Sequence, residues 1–293
     1  MKEHLIGIAT GDPKGIGPEV VAKALAQLPD AIRKRCRIFG DCSLDPRTPS
    51  ETDAAKIALT ALDAAIAAIK TGEITSLVTA PVNKARLQQL VPDFTGHTGY
   101  LAKAFGVKDV VMMFVLQKGR GGSRTAPTCI VLTTVHIPIA EVSRSLTSEK
   151  ILMTIRITAQ GMREHFGIAS PHIAVLGLNP HAGENGALGR EEIETIIPAI
   201  EEARRQGINC TGPFPADSFF KRSPSYDAVI AMYHDQGLIP AKLLGAGHVV
   251  NMTLGLPFVR TDPAHGTAED IAGKGIADPR GMIAAIELAA KLK

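Results

Sequence analysis

Three histidines occupy equivalent places in the chain, each just past a short apolar run. His136 lies in Thr133-Thr134-Val135-His136-Ile137-Pro138, His181 in Asn179-Pro180-His181-Ala182-Gly183-Glu184, and His234 in Tyr233-His234-Asp235-Gln236-Gly237. Neutral imidazoles converging from three strand ends are a donor set for zinc or a similar divalent cation. The plainer alternative is that each ring hydrogen-bonds locally where its strand stops. The repeated position is what separates these three from the other histidines.

A second set of residues suits an anion. Phosphate recognition needs fixed cations and backbone donors. Lys242, Asn251 and Arg260 follow His234 within one segment, and His97 and Thr98 sit in the turn Thr95-Gly96-His97-Thr98-Gly99. A lone Lys or Arg is more often a solvated surface charge, so spacing alone leaves both readings open. The most distinctive stretch runs from His265-Gly266-Thr267-Ala268-Glu269-Asp270 through Ile271-Ala272-Gly273-Lys274-Gly275 to Pro279. A glycine-rich loop of this kind can wrap an adenosine, with Asp270 accepting hydrogen bonds from ribose hydroxyls. That acidic contact favours NAD over NADP, whose 2′-phosphate it would repel. By contrast, Thr10-Gly11-Asp12-Pro13-Lys14-Gly15-Ile16-Gly17 matches neither the P-loop nor the GxGxxG spacing. It reads as a tight strand-to-helix turn.

The elements that must hold these residues are legible as alternating strands and helices. Apolar runs rich in β-branched residues occur at 5–10, 76–80, 110–116, 129–135, 173–178 and 228–233. They lack apolar/polar alternation, as expected for strands buried on both faces of a mostly parallel sheet. Between them, 54–70 carries Ile57, Ala61, Leu62, Ala65, Ile66 and Ile69 on one helical stripe. The segment 190–206 is amphipathic with acidic residues early and basic residues late, matching the helix dipole. Gly207 follows as a C-cap, and Pro198 predicts a kink. The polar stretches 41–53 and 117–127 predict surface loops. Alternation of this type predicts an α/β fold with ligands at the carboxyl ends of the strands.

Bulk composition excludes several functions. The 293 residues carry 32 Lys plus Arg against 29 Asp plus Glu, a formal net charge of +3. The charges are dispersed, with no basic stripe for nucleic acid or a membrane surface. No apolar run approaches the roughly 20 residues of a membrane span. The amino terminus lacks a signal-peptide pattern, and Cys36, Cys42, Cys129 and Cys210 form no metal or redox motif. A cytoplasmic protein with reduced thiols is expected.

Taken in order, GDPKGIGPEV, TAPVNK, FTGHTGYLA, TTVHIPI, GLNPHAGENG, GPFPAD, MYHDQGL, NMTLGLPFVRT and HGTAEDIAGKGIADP resemble the 4-hydroxythreonine-4-phosphate dehydrogenase family of vitamin B6 biosynthesis over nearly the whole chain. The last motif is also similar to the cofactor loop of isocitrate and isopropylmalate dehydrogenases. The resemblance implies their fold, two α/β/α lobes with mostly parallel sheets and a cleft. The expected division is 1–95 with 265–293 as a first lobe carrying the cofactor loop, and 96–264 as a second.

The resemblance further implies that His136, His181 and His234 bind a divalent metal (zinc, cobalt or magnesium) at a homodimer interface. It implies that His97, Thr98, Lys242, Asn251 and Arg260 contact a phosphorylated small-molecule substrate, and that His265, Gly266, Thr267 and Asp270 bind NAD. Lys84, Asp217 and Asp235 match acid–base positions, with Asn83 beside Lys84. The implied reaction oxidises a secondary alcohol of 4-phosphohydroxy-L-threonine to a β-keto acid, which loses carbon dioxide to give 3-amino-2-oxopropyl phosphate. Three departures bear on the substrate. The segment between Gly40-Asp41 and Ala54 is short, the loop 117–127 is long, and Asp262-Pro263-Ala264 stands where Ser-Val/Pro-Asp is usual. The alternatives are a 4-phospho-D-erythronate or 4-phosphothreonate dehydrogenase, an aromatic cis-diol carboxylate dehydrogenase, and, from another class, a phosphate acyltransferase on a related fold. Retained Lys242, Asn251 and Arg260 favour a phosphorylated substrate over the diol.

Overall fold

Strands buried on both faces have no polar side to show, and the six runs without alternation become strands of that kind. The computed structural model describes residues 4–116, 129–222, 226–245 and 248–292. Ten strands are present among them: β1 (Ile6–Ala9), β2 (Cys36–Phe39), β3 (Ser76–Thr79), β4 (Val111–Leu116), β5 (Cys129–Leu132), β6 (Ile173–Leu176), β7 (Cys210–Phe214), β8 (Ala228–Ala231), β9 (Val249–Leu254) and β10 (Val259–Pro263). The loop expected at 117–127 lies outside the described residues.

The chain divides into two compact units, 1–110 with 250–293 and 111–249. The expected boundaries at 95/96 and 264/265 therefore move to 110/111 and 249/250. The cause is pairing: β9 and β10 run antiparallel to each other, and β10 returns to lie parallel to β3. The helix His97–Ala104 stays with the first unit because Phe94 and Leu101 pack into a core with Leu62, Ile66, Leu77, Leu87 and Phe258.

In the first unit the strand order is β2-β1-β3-β10-β9, with only the β9–β10 pair antiparallel. The helix expected from Ala54 begins one turn earlier and spans Glu51–Thr71. Ser50 is its N-cap, accepting from the Asp53 amide, and Gly72 ends it in the left-handed conformation. In the second unit the order is β4-β5-β8-β6-β7, with β4 antiparallel and the rest parallel. β2 and β7 are edge strands with half-exposed residues, so neither shows the apolar run that marks a buried strand.

The amphipathic segment at 190–206 is two pieces rather than one kinked helix. A π-helical turn, Glu192–Ile196, precedes an α-helix, Ile197–Arg205, and Pro198 lies in that helix's first turn. Helical backbone continues through the junction, where the Ile197 amide donates to the Glu192 carbonyl, and the π turn accommodates the N–H that Pro198 lacks. Gly207 follows with φ +79°, and the Ile208 amide reaches back to the Ala203 carbonyl, as expected of the C-cap.

The turn after β1 shows why glycine is needed. A Cβ at Gly17 would lie 2.3 Å from the Thr10 carbonyl oxygen, a backbone atom that cannot swing aside. Gly17→Ala should lower unfolding stability by about 1–3 kcal/mol through overpacking, measured by urea denaturation.

Candidate active site

The first unit contains two buried guanidinium groups in contrasting surroundings. Arg86, 4% exposed, lies in the short helix Lys84–Gln88 and pairs with three carboxylates: Asp12, Glu51 at 2.7 Å and Glu269 at 3.1 Å. Burial would lower its pKa, but Glu51, Glu269 and Asp12 together raise it, so it stays charged. Asn83 caps this helix by accepting from the Arg86 amide, and its side-chain amide donates to Glu269 at 2.8 Å. Asp12 also accepts from the Lys14 amide at 2.9 Å. The Ile16 amide donates to the Thr267 carbonyl at 2.8 Å, and a Cβ at Gly15 would sit 2.8 Å from that same oxygen. The glycine turn after β1 is thus a tight turn pressed against the 265–279 loop.

That loop is anchored at both ends. Glu269 is held by Arg86 and Asn83. Near the far end, the Lys23 ammonium donates to the carbonyls of Gly275 and Ala277 at 2.8 and 2.9 Å. Between the anchors Asp270 is exposed, and the exposed His265 ring bonds the adjacent Gly266 carbonyl at 3.0 Å. Thr267 gives its carbonyl to the turn, leaving its side chain beside Gly15. A recess of about 300 Å³ lies alongside, lined by Gly15, Glu19, Cys42, Pro46, Gly273 and Gly275.

Arg260, only 2% exposed, is the other buried guanidinium. It donates to Thr253 at 3.0 Å and Thr79 at 2.7 Å, and pairs with Asp262 at 2.7 Å. Asn251, 8% exposed, donates to the same Asp262 oxygen at 2.9 Å. Of the four buried side-chain polar atoms without a partner among the described residues, two are Arg260 Nε and Asn251 Oδ1. Thr98 approaches Thr253, their hydroxyls 3.4 Å apart. Burial, then the charges of Arg260 and Lys84, push the His97 imidazole well below its ordinary pKa. It is therefore neutral at pH 7. His97, Thr98, Asn251, Arg260 and Lys84 are all in the first unit, and Lys242 is in the second.

The second unit carries the three histidines. His136 and His234 have ring centroids 5.6 Å apart and line a cavity of about 240 Å³ with Val135, Tyr233 and Asp235. The Thr134 amide and hydroxyl both donate to the Met232 carbonyl, at 3.1 and 2.7 Å, which ties the two strand ends together. His234 Nδ1 and Asp235 Oδ1 are 2.6 Å apart. His181 lines a different cavity, of about 420 Å³, with Glu184, Glu192, Pro213 and Pro215. Among the described residues, no group of three or more His, Cys, Asp or Glu is placed to hold one ion. Asp217 begins the helix Ala216–Arg222, exposed, and Lys242 is exposed in the helix His234–Gly245.

The backbone at His181 is unusual. His181, Ala182, Gly183, Glu184 and Asn185 all have φ between +43° and +77°, a left-handed turn. Such a turn costs on the order of 1–2 kcal/mol per non-glycine residue. Glu192, 2% exposed, holds it: its carboxylate accepts from the Leu178 and Asn179 amides, both at 2.8 Å, and from the Asn179 side chain at 3.0 Å. Nothing in the sequence pattern marks Glu192, Arg86, Thr79 or Thr253. A carboxylate within a helical stripe or a threonine within a strand is ordinary until its partners are known.

The family described as "Pyridoxal phosphate biosynthetic protein PdxA" matches residues 22–289. The chain belongs to this family. A 4-hydroxythreonine-4-phosphate dehydrogenase from Burkholderia vietnamiensis is 40% identical, the match covering 97% of this chain and 95% of that protein. The crystal structure of the Klebsiella pneumoniae enzyme of the same name superposes with a TM-score of 0.85 at 32% identity, over 98% of this chain and 99% of that one. A terephthalate 1,2-cis-dihydrodiol dehydrogenase from Burkholderia xenovorans gives a TM-score of 0.66 at 28% identity, over 98% of each chain. An isocitrate dehydrogenase from Methylococcus capsulatus, at 18% identity and a TM-score of 0.54 over 98% of this chain and 85% of that one, shows the shared fold alone. The expected α/β architecture of the family is the one observed. The protein is a dehydrogenase of the PdxA family, and no helix among its described residues is long and apolar enough to cross a membrane.

Two predictions follow from the buried charges. Glu269 is raised by burial but held below its ordinary value by Asn83 and Arg86, and Glu51 is lowered chiefly by Arg86. Depressed carboxylates stabilise the fold above their unfolded pKa, and that contribution is lost as pH falls through the folded value. Arg86→Ala should therefore destabilise by about 3–5 kcal/mol at pH 7. The deficit should shrink as pH drops below about 4, in paired melting curves. Glu192→Ala should cost about 3 kcal/mol and speed amide exchange across 178–187, whereas Glu192→Gln, which keeps one acceptor, should lose less.

Proposed function

We propose that this protein catalyses the NAD-dependent, divalent-metal-assisted oxidation and decarboxylation of a 4-phosphorylated hydroxy acid, with 4-phosphohydroxy-L-threonine as substrate and 3-amino-2-oxopropyl phosphate as product. The observation that carries this reading is the group of Arg260, Asn251, Thr98 and neutral His97, the first two buried, in which a guanidinium N–H and an amide oxygen have no partner among the described residues. An unpaired buried donor on a cation is costly unless an acceptor arrives. A phosphate oxygen supplies one, and the phosphoryl hydroxyl or a bound water can meet the amide oxygen.

The donor chemistry also fits a borderline divalent cation. His136 and His234 share one cavity, and Asp235 accepting from His234 Nδ1 leaves Nε2 with a free lone pair to offer. The third imidazole of the reading, His181, opens onto separate space, as suits a site completed by a second copy of the chain. Ile239, Leu243 and Leu244 on the helix that His234 begins, with Ile139, are large apolar residues exposed at 58, 76, 44 and 71%. An apolar surface of this extent suits a subunit interface. When bound, the cation supplies Lewis acidity toward the substrate oxygens, and NAD supplies the two-electron acceptor.

The chain's own residues then bind, orient and move protons. Arg260, Asn251 and Thr98, all in the first unit, take the phosphate. Neutral His97 donates one N–H without adding charge. Lys84, whose charge acts on His97, is the candidate for accepting the hydroxyl proton once it has itself lost one to solvent. Asp235 serves by orienting His234, and Asp217 is solvated at a helix start. The exposed 265–270 segment, anchored through Glu269, presents Asp270 to ribose hydroxyls, with His265, Gly266 and Thr267 beside it. All four cysteines are free, in keeping with a cytoplasmic location.

The deciding assay follows NADH absorbance with 4-phosphohydroxythreonine, 4-phosphoerythronate, 4-phosphothreonate and their unphosphorylated counterparts, each with zinc, cobalt or magnesium. Turnover confined to phosphorylated acids with added metal is expected; acyl-phosphate formation without nicotinamide reduction would favour the acyltransferase alternative. His181→Ala should abolish turnover and bound metal, measured by elemental analysis, while NADH binding followed by fluorescence survives. Full metal content in that variant would remove His181 from the ligand set.

A further inference from the structure

We propose that Asp262 is a specificity-determining residue: its carboxylate occupies the guanidinium of Arg260 and the amide of Asn251, and so limits how much negative charge their site accepts. The inference rests on the phosphate reading of Arg260 and Asn251 given above.

The geometry follows from strand register. Asp262 faces Asn251 and Arg260 faces Thr253 across the antiparallel β9–β10 pair. Residues two apart on a strand share a face, which puts Arg260, Asp262, Asn251 and Thr253 side by side. One oxygen, Asp262 Oδ2, lies 2.7 Å from Arg260 Nη2 and 2.9 Å from Asn251 Nδ2. Asp262 is 16% exposed and the guanidinium beside it 2%. The charged pair sums to zero in a place where water does little to screen it.

A guanidinium has five N–H donors. Thr79, Thr253 and Asp262 engage Nη1 and Nη2, and Nε remains unpartnered. An incoming phosphate can reach the open donors, but it meets them beside a carboxylate of its own sign. The charged groups that act on Asp262 are Arg260 and His265, with Asn251 as a neutral donor. Lys84 acts on His97 from the helix Lys84–Gln88. Within the first unit, net positive charge near the site therefore comes from Lys84 more than from the Arg260–Asp262 pair. Replacing Asp262 by a neutral residue frees the full charge of Arg260 for the ligand. Substrates without phosphate gain nothing from the change.

Asp262→Asn keeps an acceptor for the guanidinium and nearly the same shape, and Asp262→Ser supplies a smaller neutral alternative if the first folds poorly. Both are compared with the wild type and Arg260→Ala. Binding of inorganic phosphate and of unphosphorylated hydroxythreonine is measured by calorimetry, KM is measured for 4-phosphohydroxythreonine, and melting curves establish folding. A like charge worth about one pKa unit corresponds to roughly tenfold in affinity. The expected result is phosphate binding about tenfold tighter in a folded neutral variant, with KM falling for 4-phosphohydroxythreonine and no tighter binding of unphosphorylated hydroxythreonine. Unchanged or weaker phosphate binding in folded neutral variants, while Arg260→Ala loses it, would overturn the role of Asp262 alone. Phosphate binding that survives Arg260→Ala would overturn the phosphate reading, and this inference with it.

Discussion

A guanidinium removed from water must be answered by carboxylates, and the arrangement of the first unit follows from how Arg86 is answered. Its three acidic partners come from the turn after β1, the first turn of the helix Glu51–Thr71 and the 265–279 loop. None of these segments is near another in sequence. Because an unpaired charge at 4% exposure would cost several kcal/mol, all three must be in place together. The glycines of the β1 turn serve this convergence: Gly15 and Gly17 let backbone meet backbone at Thr267 and Thr10. A loop carrying the expected cofactor contacts is thus held by the same ions that close the core, so its position follows from folding.

The second unit solves a similar problem with one anion in place of one cation. The left-handed run at 181–185 would unwind into a lower-energy conformation if its ends were free. Glu192 prevents this by accepting from two successive amides, Leu178 and Asn179, at the point where the chain leaves β6. Gly177 and Gly183 are glycines because a Cβ at either would come within 3.0 Å of the Glu192 carboxylate. The π-helical turn that begins at Glu192 belongs to the same device, since it places that carboxylate at the head of the helix. His181 is therefore presented from strained backbone that a buried ionic contact holds in place.

What could be read in advance follows from burial. β1, β3, β5, β6 and β8 are buried at every position, and their apolar runs announced them. β9 and β10 were not announced because polar residues interrupt them: Asn251 and Thr253 break one run, and Arg260 and Asp262 the other. Misjudging those strands also misplaced the division of the chain, because the β9–β10 pair is what returns it to the first unit. The early start of the helix at Glu51 was hidden by its own capping residues, Ser50 and Asp53, which resemble loop. The candidate site residues were named from motifs by type alone. Their partners were not legible, since Arg86 and Thr79 acquire meaning from segments distant in sequence, and Glu192 and Asp262 only once a turn and a strand pair bring their contacts together.

The two buried arginines of the first unit show how scaffold and site differ when both use the same side chain. Arg86 has all three of its nitrogens engaged by carboxylates, and its surroundings are charge-rich enough to raise its pKa. Each nitrogen of such a group already has a carboxylate acceptor, Nε included. Arg260 is more deeply buried yet has a single acidic partner, two threonine hydroxyls and an idle Nε, and burial lowers its pKa. Folding has left it underserved. A fold gains nothing from a buried donor without an acceptor, and the proposed anion-binding role of Arg260 rests on that shortfall. The presence or absence of a partner at Nε, more than burial or charge, separates these two guanidinium groups.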